Sequence, residues 1–349
     1  TRRSSDLALG ARTVCKIVES AGHEAVLMDF PMMAKRAKPA VRPPSLEYLD
    51  PFTIEETGPV SFFTGYKRLG PTPSRCAGLI SDVDPDLLLI SCFAYAYGED
   101  TVALAKAVRE MIPRLAIVAG GAGPTVLPEF FLRSRAVSFV LAGEAETNLL
   151  RFLGEFEKPD PDYDSVPGLH YAENNRVISP SPARETTADE LEWTASSFVG
   201  RSSGRRLTTS LSRGCPRSCA FCSNHLCHGR KFRKVPFGKV VQGIDSVATG
   251  ISAAREPAIA RLNLEDDNLL AAPDYTLAVV EYAKRKLDAP DITAENGVDS
   301  GFLTSQMLKK LLDSGLSRLN LSLASVAPGV LAGAHRDEAG SRIASLTSQ

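Results

Sequence analysis

Three cysteines crowd into one short segment, Ser212-Arg213-Gly214-Cys215-Pro216-Arg217-Ser218-Cys219-Ala220-Phe221-Cys222-Ser223-Asn224, with the spacing C-x3-C-x2-C. Thiolates are soft ligands, and three on one loop can each take one iron of a cubane 4Fe-4S cluster while the chain wraps around it. The fourth iron then has no protein ligand from this segment and is open to a small molecule. Zinc is the alternative: it takes four ligands, often from paired C-x2-C units, and His225, His228 or Cys227 could supply a fourth. Cys227 otherwise reads as a bystander. Cys15, Cys76 and Cys92 sit singly among apolar residues, as small core thiols do.

A strand at Leu207–Leu211 runs into this segment. Beyond it the pattern alternates: helix 238–249, strand 259–264, helix 274–286, strand 291–294, helix 304–314 and strand 317–323. Four strands with helices between them make a partial (β/α) TIM-like barrel, and only Ala324–Gln349 follow, so residues 205–349 are expected to carry the N-terminal part of the barrel. Residues at the carboxyl ends of such strands face the active site. The run Asn263-Leu264-Glu265-Asp266-Asp267-Asn268 ends the second strand, Asn296-Gly297 is a turn signal at the third, and Asn320-Leu321-Ser322-Leu323-Ala324-Ser325 lies on the fourth. A solvated acidic turn is the plainer reading of the acidic run.

The first 154 residues alternate too. A helix over 7–21 ends at Gly22, and a strand is expected at 24–30. A Pro-rich stretch reaches Pro44, and beyond it lie a buried strand at 86–91, a helix at 100–111, a strand at 115–119 and a strand at 137–141. This is an open, flavodoxin-like (Rossmann-like) α/β parallel sheet, although no strand precedes the first helix as such a domain would have. Ligands of open parallel sheets bind beyond the carboxyl ends of the strands, where glycine allows close backbone approach. Here those ends read Ser91-Cys92-Phe93-Ala94-Tyr95, Gly120-Gly121-Ala122-Gly123-Pro124-Thr125 and Gly143-Glu144-Ala145-Glu146. Tight strand-to-helix turns would use the same glycines. Residues 155–204 turn to Pro, Asp, Asn and Ser and read as a linker with a hairpin at Asn174-Asn175.

The cysteine spacing, with Gly214 before the first cysteine and Phe221 before the third, resembles the radical S-adenosylmethionine (SAM) superfamily. The order and spacing of the double glycine and the Gly-Glu-x-Glu run resemble the cobalamin (B12)-binding domain fused to one large class of those enzymes. The resemblance covers most of residues 1 to 325. It implies that Cys215, Cys219 and Cys222 hold a 4Fe-4S cluster whose open iron chelates SAM, and that one electron from the cluster breaks a carbon–sulfur bond to give a 5'-deoxyadenosyl radical. It places Phe221, Glu265, Asp266, Asn296 and Ser322 toward SAM, although Glu265 and Asp266 stand where relatives often carry Gly-Gly-Glu. It places Ser91, Cys92, Phe93, Gly120, Gly121, Gly123, Gly143 and Glu144 toward cobalamin. No Asp-x-His-x-x-Gly segment is present, so no histidine of that kind is expected to ligate cobalt.

Methyl transfer to an unactivated carbon of a small molecule or natural product is the activity this implies, with radical cyclisation or rearrangement as the alternative. A truncated, non-catalytic cluster- or cobalamin-binding module is the reading from a different class. Partners are then a small-molecule substrate and an electron donor such as flavodoxin or ferredoxin. Lys plus Arg number 40 and Asp plus Glu 41, so no charge excess points to nucleic acid or membrane. No apolar run reaches the roughly 20 residues that span a bilayer, and seven cysteines in 349 residues make no dense disulfide scaffold. Those features predict a cytoplasmic protein.

Overall fold

The computed structural model describes residues 9–34, 36–44, 47, 66–174, 176–200, 204–322, 324–325 and 327–336. The described residues fall into two compact units, one of residues 17–184 and one of residues 185–349 together with 1–16. Helix α1 (Leu9–Ser20) crosses that division, and the expected helix positions 7 and 8 lie outside the described residues.

In the unit of residues 17–184, helix α2 (Pro73–Ser81) starts at an N-cap, Thr72, whose hydroxyl accepts from Arg75 N, with Pro73 supplying a preset φ. Strand β1 (Leu87–Ser91) follows, then α3 (Gly98–Met111), β2 (Ala116–Gly120), the short α4 (Ala122–Val126) and α5 (Pro128–Leu132), β3 (Phe139–Leu141) and α6 (Ala145–Phe156). Strands β1, β2 and β3 pair in parallel, Ile90 against Ala119 and Ala119 against Val140. Their apolar residues bury against the helices around Ile80, Val102, Ala105, Val108 and Phe131. The amino ends of β2 and β3 are tied by one side chain: the Arg109 guanidinium donates to the carbonyls of Pro113, Leu115 and Ala136.

Two expectations for this unit need correction. Residues 24–29 form no strand: they join no ladder, although Met28 and Phe30 still pack against the core. Side-chain burial alone does not make a strand when the backbone groups find no neighbour to pair with. The hairpin, β4 (Leu169–Glu173) and β5 (Arg176–Ile178), does not stand in a linker. Strand β4 pairs antiparallel with β3, Leu169 against Leu141, and so extends the sheet to five strands in the order β1-β2-β3-β4-β5. Tyr171 and Phe139 meet across that ladder beside Tyr163 and Phe152, which gives the hairpin its apolar anchor.

The second unit begins its sheet with β6 (Ala195–Gly200), also inside the expected linker, antiparallel to β7 (Gly204–Thr209). Chain then runs through the cysteine segment, a single turn α7 (Asn224–His228) and α8 (Phe237–Ala254) to β8 (Ile259–Leu264), α9 (Pro273–Lys286), β9 (Asp291–Asp299), α10 (Ser305–Asp313), β10 (Leu316–Ser322) and α11 (Pro328–Gly333). The order is β10-β9-β8-β7-β6, with β7 to β10 parallel, which is the right alternation for part of a β/α barrel. Helix α9 shows why these segments are helical: Pro273 opens it, Asp274 lies in its first turn, Lys284, Arg285 and Lys286 lie in its last, and Val279, Val280 and Ala283 face the core. Asn296-Gly297 does not end the third strand. The register shifts between Ala294 and Val298, and Gly297 takes φ +91°, so the pair forms a bulge and β9 continues to Asp299.

Candidate functional site

The cysteine segment leaves β7 at the carboxyl edge of the parallel strands, where β8 and β9 also end. The run Asp266-Asp267-Asn268, just past β8, holds it residue by residue. Asp266 Oδ1 accepts from Leu211 N at 2.9 Å and from Ser212 Oγ at 2.5 Å. Asp267 Oδ2 accepts from Gly214 N at 2.8 Å and meets His228 Nδ1 at 2.7 Å. Asn268 Nδ2 donates to Cys215 Sγ at 3.5 Å. Gly214 is the one residue type that fits its place, because φ is +80° and a Cβ would lie 2.3 Å from the Lys231 carbonyl oxygen.

A second support comes from the turn after α11. Ala334 O accepts from Ala220 N at 3.3 Å, His335 Nδ1 meets Ser218 O at 3.0 Å, and Arg336 Nη1 donates to Cys219 Sγ at 3.6 Å. Arg336 also reaches Asp299 Oδ1 and Ser322 O, while Asp299 Oδ2 accepts from Arg217 Nε at 2.7 Å. Arg217 in turn lies over the Phe302 ring. The result is that Cys215 and Cys219 are each held by a side-chain N–H donor, and Cys222 sits exposed one turn further on, its N–H bonded to Cys219 O.

The donor set fits a cluster: three free thiols on one loop, two already accepting N–H···S bonds that suit an anionic sulfur. Among the described residues no three His, Cys, Asp or Glu side chains converge on a single ion position. Burial pushes the Cys215 thiol up, against the pull of the Arg217 N–H and the Asn268 amide. A metal bound at Cys215 would displace the thiol proton.

The carboxylates differ sharply. Burial raises Asp266 to about 7, because the bonds from Ser212 and Leu211 offset only part of the desolvation and Oδ2 has no partner. Burial acts on Asp267 too, but the hydrogen bond and charge of His228 overcome it and hold that carboxyl down to about 2. Asp266 is 4% exposed, and its Oδ1 is turned toward the start of the cysteine segment. A carboxyl whose pKa is raised on folding from 3.8 contributes its stability fully below about pH 4 and loses it as pH rises through about 7. Asp266→Asn is expected to flatten the resulting loss, roughly 1 kcal/mol or a few degrees of thermal midpoint between pH 6 and pH 8. A variant that loses as much as the wild type over that window contradicts this.

Of the other residues placed toward SAM, Glu265 is half-buried and accepts from the Asn263 amide, and its N–H bonds Thr209 O. Asn296 is exposed and donates to Asp266 O at 3.1 Å, so the ends of β8 and β9 are tied together. Ser322 is reached through its carbonyl by Arg336, and Phe221 is 62% exposed beside Cys222. Asp299 and Arg336 lie outside the motifs of the sequence, and Asp267 and Asn268 enter only as members of the acidic run. Asp267 and Asn268 were visible as neighbours of the quoted acidic residues. Asp299 and Arg336 carry no local signal, since their partners lie 82 and 117 residues away.

In the other unit the three strand-end loops are knitted at one edge of the sheet. Cys92 N donates to Gly120 O, Gly123 N donates to Cys92 O, and Gly143 N donates to Thr125 Oγ1. Gly121 takes φ +98°, and a Cβ there would sit 2.7 Å from Cys92 O. Gly123 is crowded by a side chain, with Cys92 Sγ 2.8 Å from its would-be Cβ. Ser91, Phe93 and Gly121 are exposed, Gly120 and Gly143 half-buried, and Cys92 and Glu144 buried. Cys92 therefore offers its backbone to this edge and its thiol to the core, where burial pushes the thiol up.

The parallel α/β unit with glycine loops at its carboxyl edge and the β/α unit whose first parallel strand feeds a three-cysteine loop give a fold similar to that of OxsB, solved as a cobalamin-dependent S-adenosylmethionine radical enzyme, with a TM-score of 0.59 at 16% identity over 78% of this chain and 40% of that one. Residues 69–153, which contain all three loops, match the B12 binding domain. The chain is similar to the 2-(S-pantetheinyl)-carbapenam-3-carboxylate methyltransferase of Streptantibioticus cattleyicolor, 31% identical over 151 residues. It is also similar to the cobalamin-dependent radical SAM methyltransferase TokK of Streptomyces tokunonensis, 30% identical over 151 residues. Each match covers 40% of this chain and 22% of the relative, so the chain matches about a fifth of the length of these curated proteins. Its fold resembles the radical SAM methyltransferase TsrM of Kitasatospora setae, solved with tryptophan substrate and a SAM analog, with a TM-score of 0.67 at 12% identity over 96% of this chain and 59% of that one. No helix among the described residues is long and apolar enough to cross a membrane.

Proposed function

We propose that this protein is a cobalamin-dependent radical SAM enzyme that transfers a methyl group to an unactivated carbon of a small-molecule substrate. The observation that carries the reading is the cysteine loop, braced from β8 and from α11 at the carboxyl edge of a parallel β/α sheet, in a chain whose residues 69–153 match the B12 binding domain. Cys215, Cys219 and Cys222 hold three irons of a 4Fe-4S cluster and leave the fourth to SAM. When bound, the cluster supplies the electron that cleaves SAM, and cobalamin carries the methyl group.

The chain's own residues bind and orient. Asp267 holds the loop at Gly214 N and Asn268 holds it at Cys215 Sγ, and Glu265, Asn296 and Ser322 stand at strand ends on the side where SAM would lie. Ser91, Phe93 and the turns at Gly120-Gly121 and Gly143-Glu144 offer an edge on which backbone can approach a large flat ligand. The names of the relatives support methylation and suggest a natural-product substrate. An electron donor of the flavodoxin or ferredoxin kind and a cytoplasmic setting complete the reading.

The test is the fate of SAM under a low-potential reductant. A methyltransferase of this kind is expected to form S-adenosylhomocysteine only when cobalamin is present, alongside 5'-deoxyadenosine. Deoxyadenosine without S-adenosylhomocysteine would overturn methylation in favour of cyclisation or rearrangement.

A further inference from the structure

The turn after α11 has no part in the three-cysteine pattern, yet it delivers a buried cation to a cysteine sulfur. Arg336 is 7% exposed and Asp299 5% exposed. Two contacts beside Arg336, Ala334 O accepting from Ala220 N and the His335 ring Nδ1 meeting Ser218 O, fix that turn along the loop, so the guanidinium is held in place. Its Nη1 points at Cys219 Sγ, and its Nη2 is shared between Asp299 Oδ1 at 3.3 Å and Ser322 O at 3.2 Å. Asp299 is itself shared with Arg217.

We propose that Arg336 is a positioning residue that sets the reduction potential of the cluster held by Cys215, Cys219 and Cys222, and that Asp299 limits its effect. This rests on the cluster reading above. Reduction adds one electron, drawn from an external low-potential donor, and leaves the cluster and its thiolates one charge more negative. An N–H···S bond and a fixed positive charge at a ligating sulfur both favour that reduced form, and they do so strongly where water is excluded. Asp299 neutralises part of the same cation. Removing Arg336 and removing the Asp299 charge therefore act with opposite sign, which a merely structural role for the pair does not produce.

The experiment is a redox titration of the reconstituted protein, followed by the electron paramagnetic resonance signal of the reduced cluster. Arg336→Gln is expected to lower the midpoint by at least a tenfold change in the one-electron equilibrium, 59 mV. Arg336→Lys, which keeps the charge, is expected to lie between Gln and wild type, and Asp299→Asn to raise the midpoint. An unchanged or raised midpoint for Arg336→Gln, or a lowered one for Asp299→Asn, overturns the proposal; should one variant lose its cluster, the sign of the other decides. A wild-type protein that assembles no cluster fails the cluster reading itself, and this inference with it.

Discussion

Replacing Cys219 by alanine is expected to abolish cluster assembly. In the proposed cluster each cysteine of the loop would supply the sole protein ligand to one iron, so the loss of one thiolate would uncover a corner of the cubane, and Cys219 is also the sulfur that Arg336 contacts. Iron with acid-labile sulfide is expected to fall from about four atoms per chain to less than about one, and reductive SAM cleavage to less than about 1% of wild type. Cys215→Ala and Cys222→Ala are expected to do the same, whereas Cys76→Ala, at a buried position of the other unit, leaves iron content alone. Full iron loading of the Cys219 variant contradicts the assignment. Zinc without sulfide in the wild type would move the site to the zinc alternative.

The second large effect is at Gly121. Valine there would meet Cys92 O at 2.7 Å and Cys92 C at 3.1 Å, backbone atoms that cannot swing aside, with φ +98° in a region closed to a β-branched residue. Opening the turn costs on the order of 1–3 kcal/mol and breaks the link between two of the three loops. Cobalamin affinity, followed by absorbance, is expected to fall roughly ten- to a hundredfold. Gly154→Ala, within α6 and with no atom within 4 Å of its would-be Cβ, is the matched control and leaves affinity unchanged. Equal affinity for the Gly121→Val variant contradicts a cobalamin edge at these loops.

What could be read in the sequence follows from the range of the interactions involved. Ile259–Leu264 was legible to the residue, since its apolar positions Ile259, Leu262 and Leu264 lie between Pro257 and the acidic run from Glu265, and so was the parallel alternation around it. The cysteine spacing carries its chemistry locally in the same way. Residues 24–29 misled because apolar patterning reports burial and is silent on whether a ladder partner exists. The hairpin at Leu169–Ile178 read as linker because its strands are polar; its place in the sheet depends on Leu141 and Phe139, some thirty residues earlier. Asn296-Gly297 gave the correct turn chemistry and the wrong outcome, because a bulge and a strand end ask for the same positive φ. The position of Asp266 at the end of β8 was legible, but its hold on Leu211 and Ser212 was not, since these lie 55 and 54 residues earlier. Arg336 was invisible, being joined to Cys219 across 117 residues.

The most direct measurement is the release of 5'-deoxyadenosine from SAM by the anaerobically reconstituted protein under a low-potential reductant. Nucleoside formed in proportion to cluster content, and absent from Cys215→Ala, Cys219→Ala and Cys222→Ala proteins, is the result expected of an open iron at this loop. A wild-type protein that holds about four irons with sulfide and releases no 5'-deoxyadenosine would contradict it.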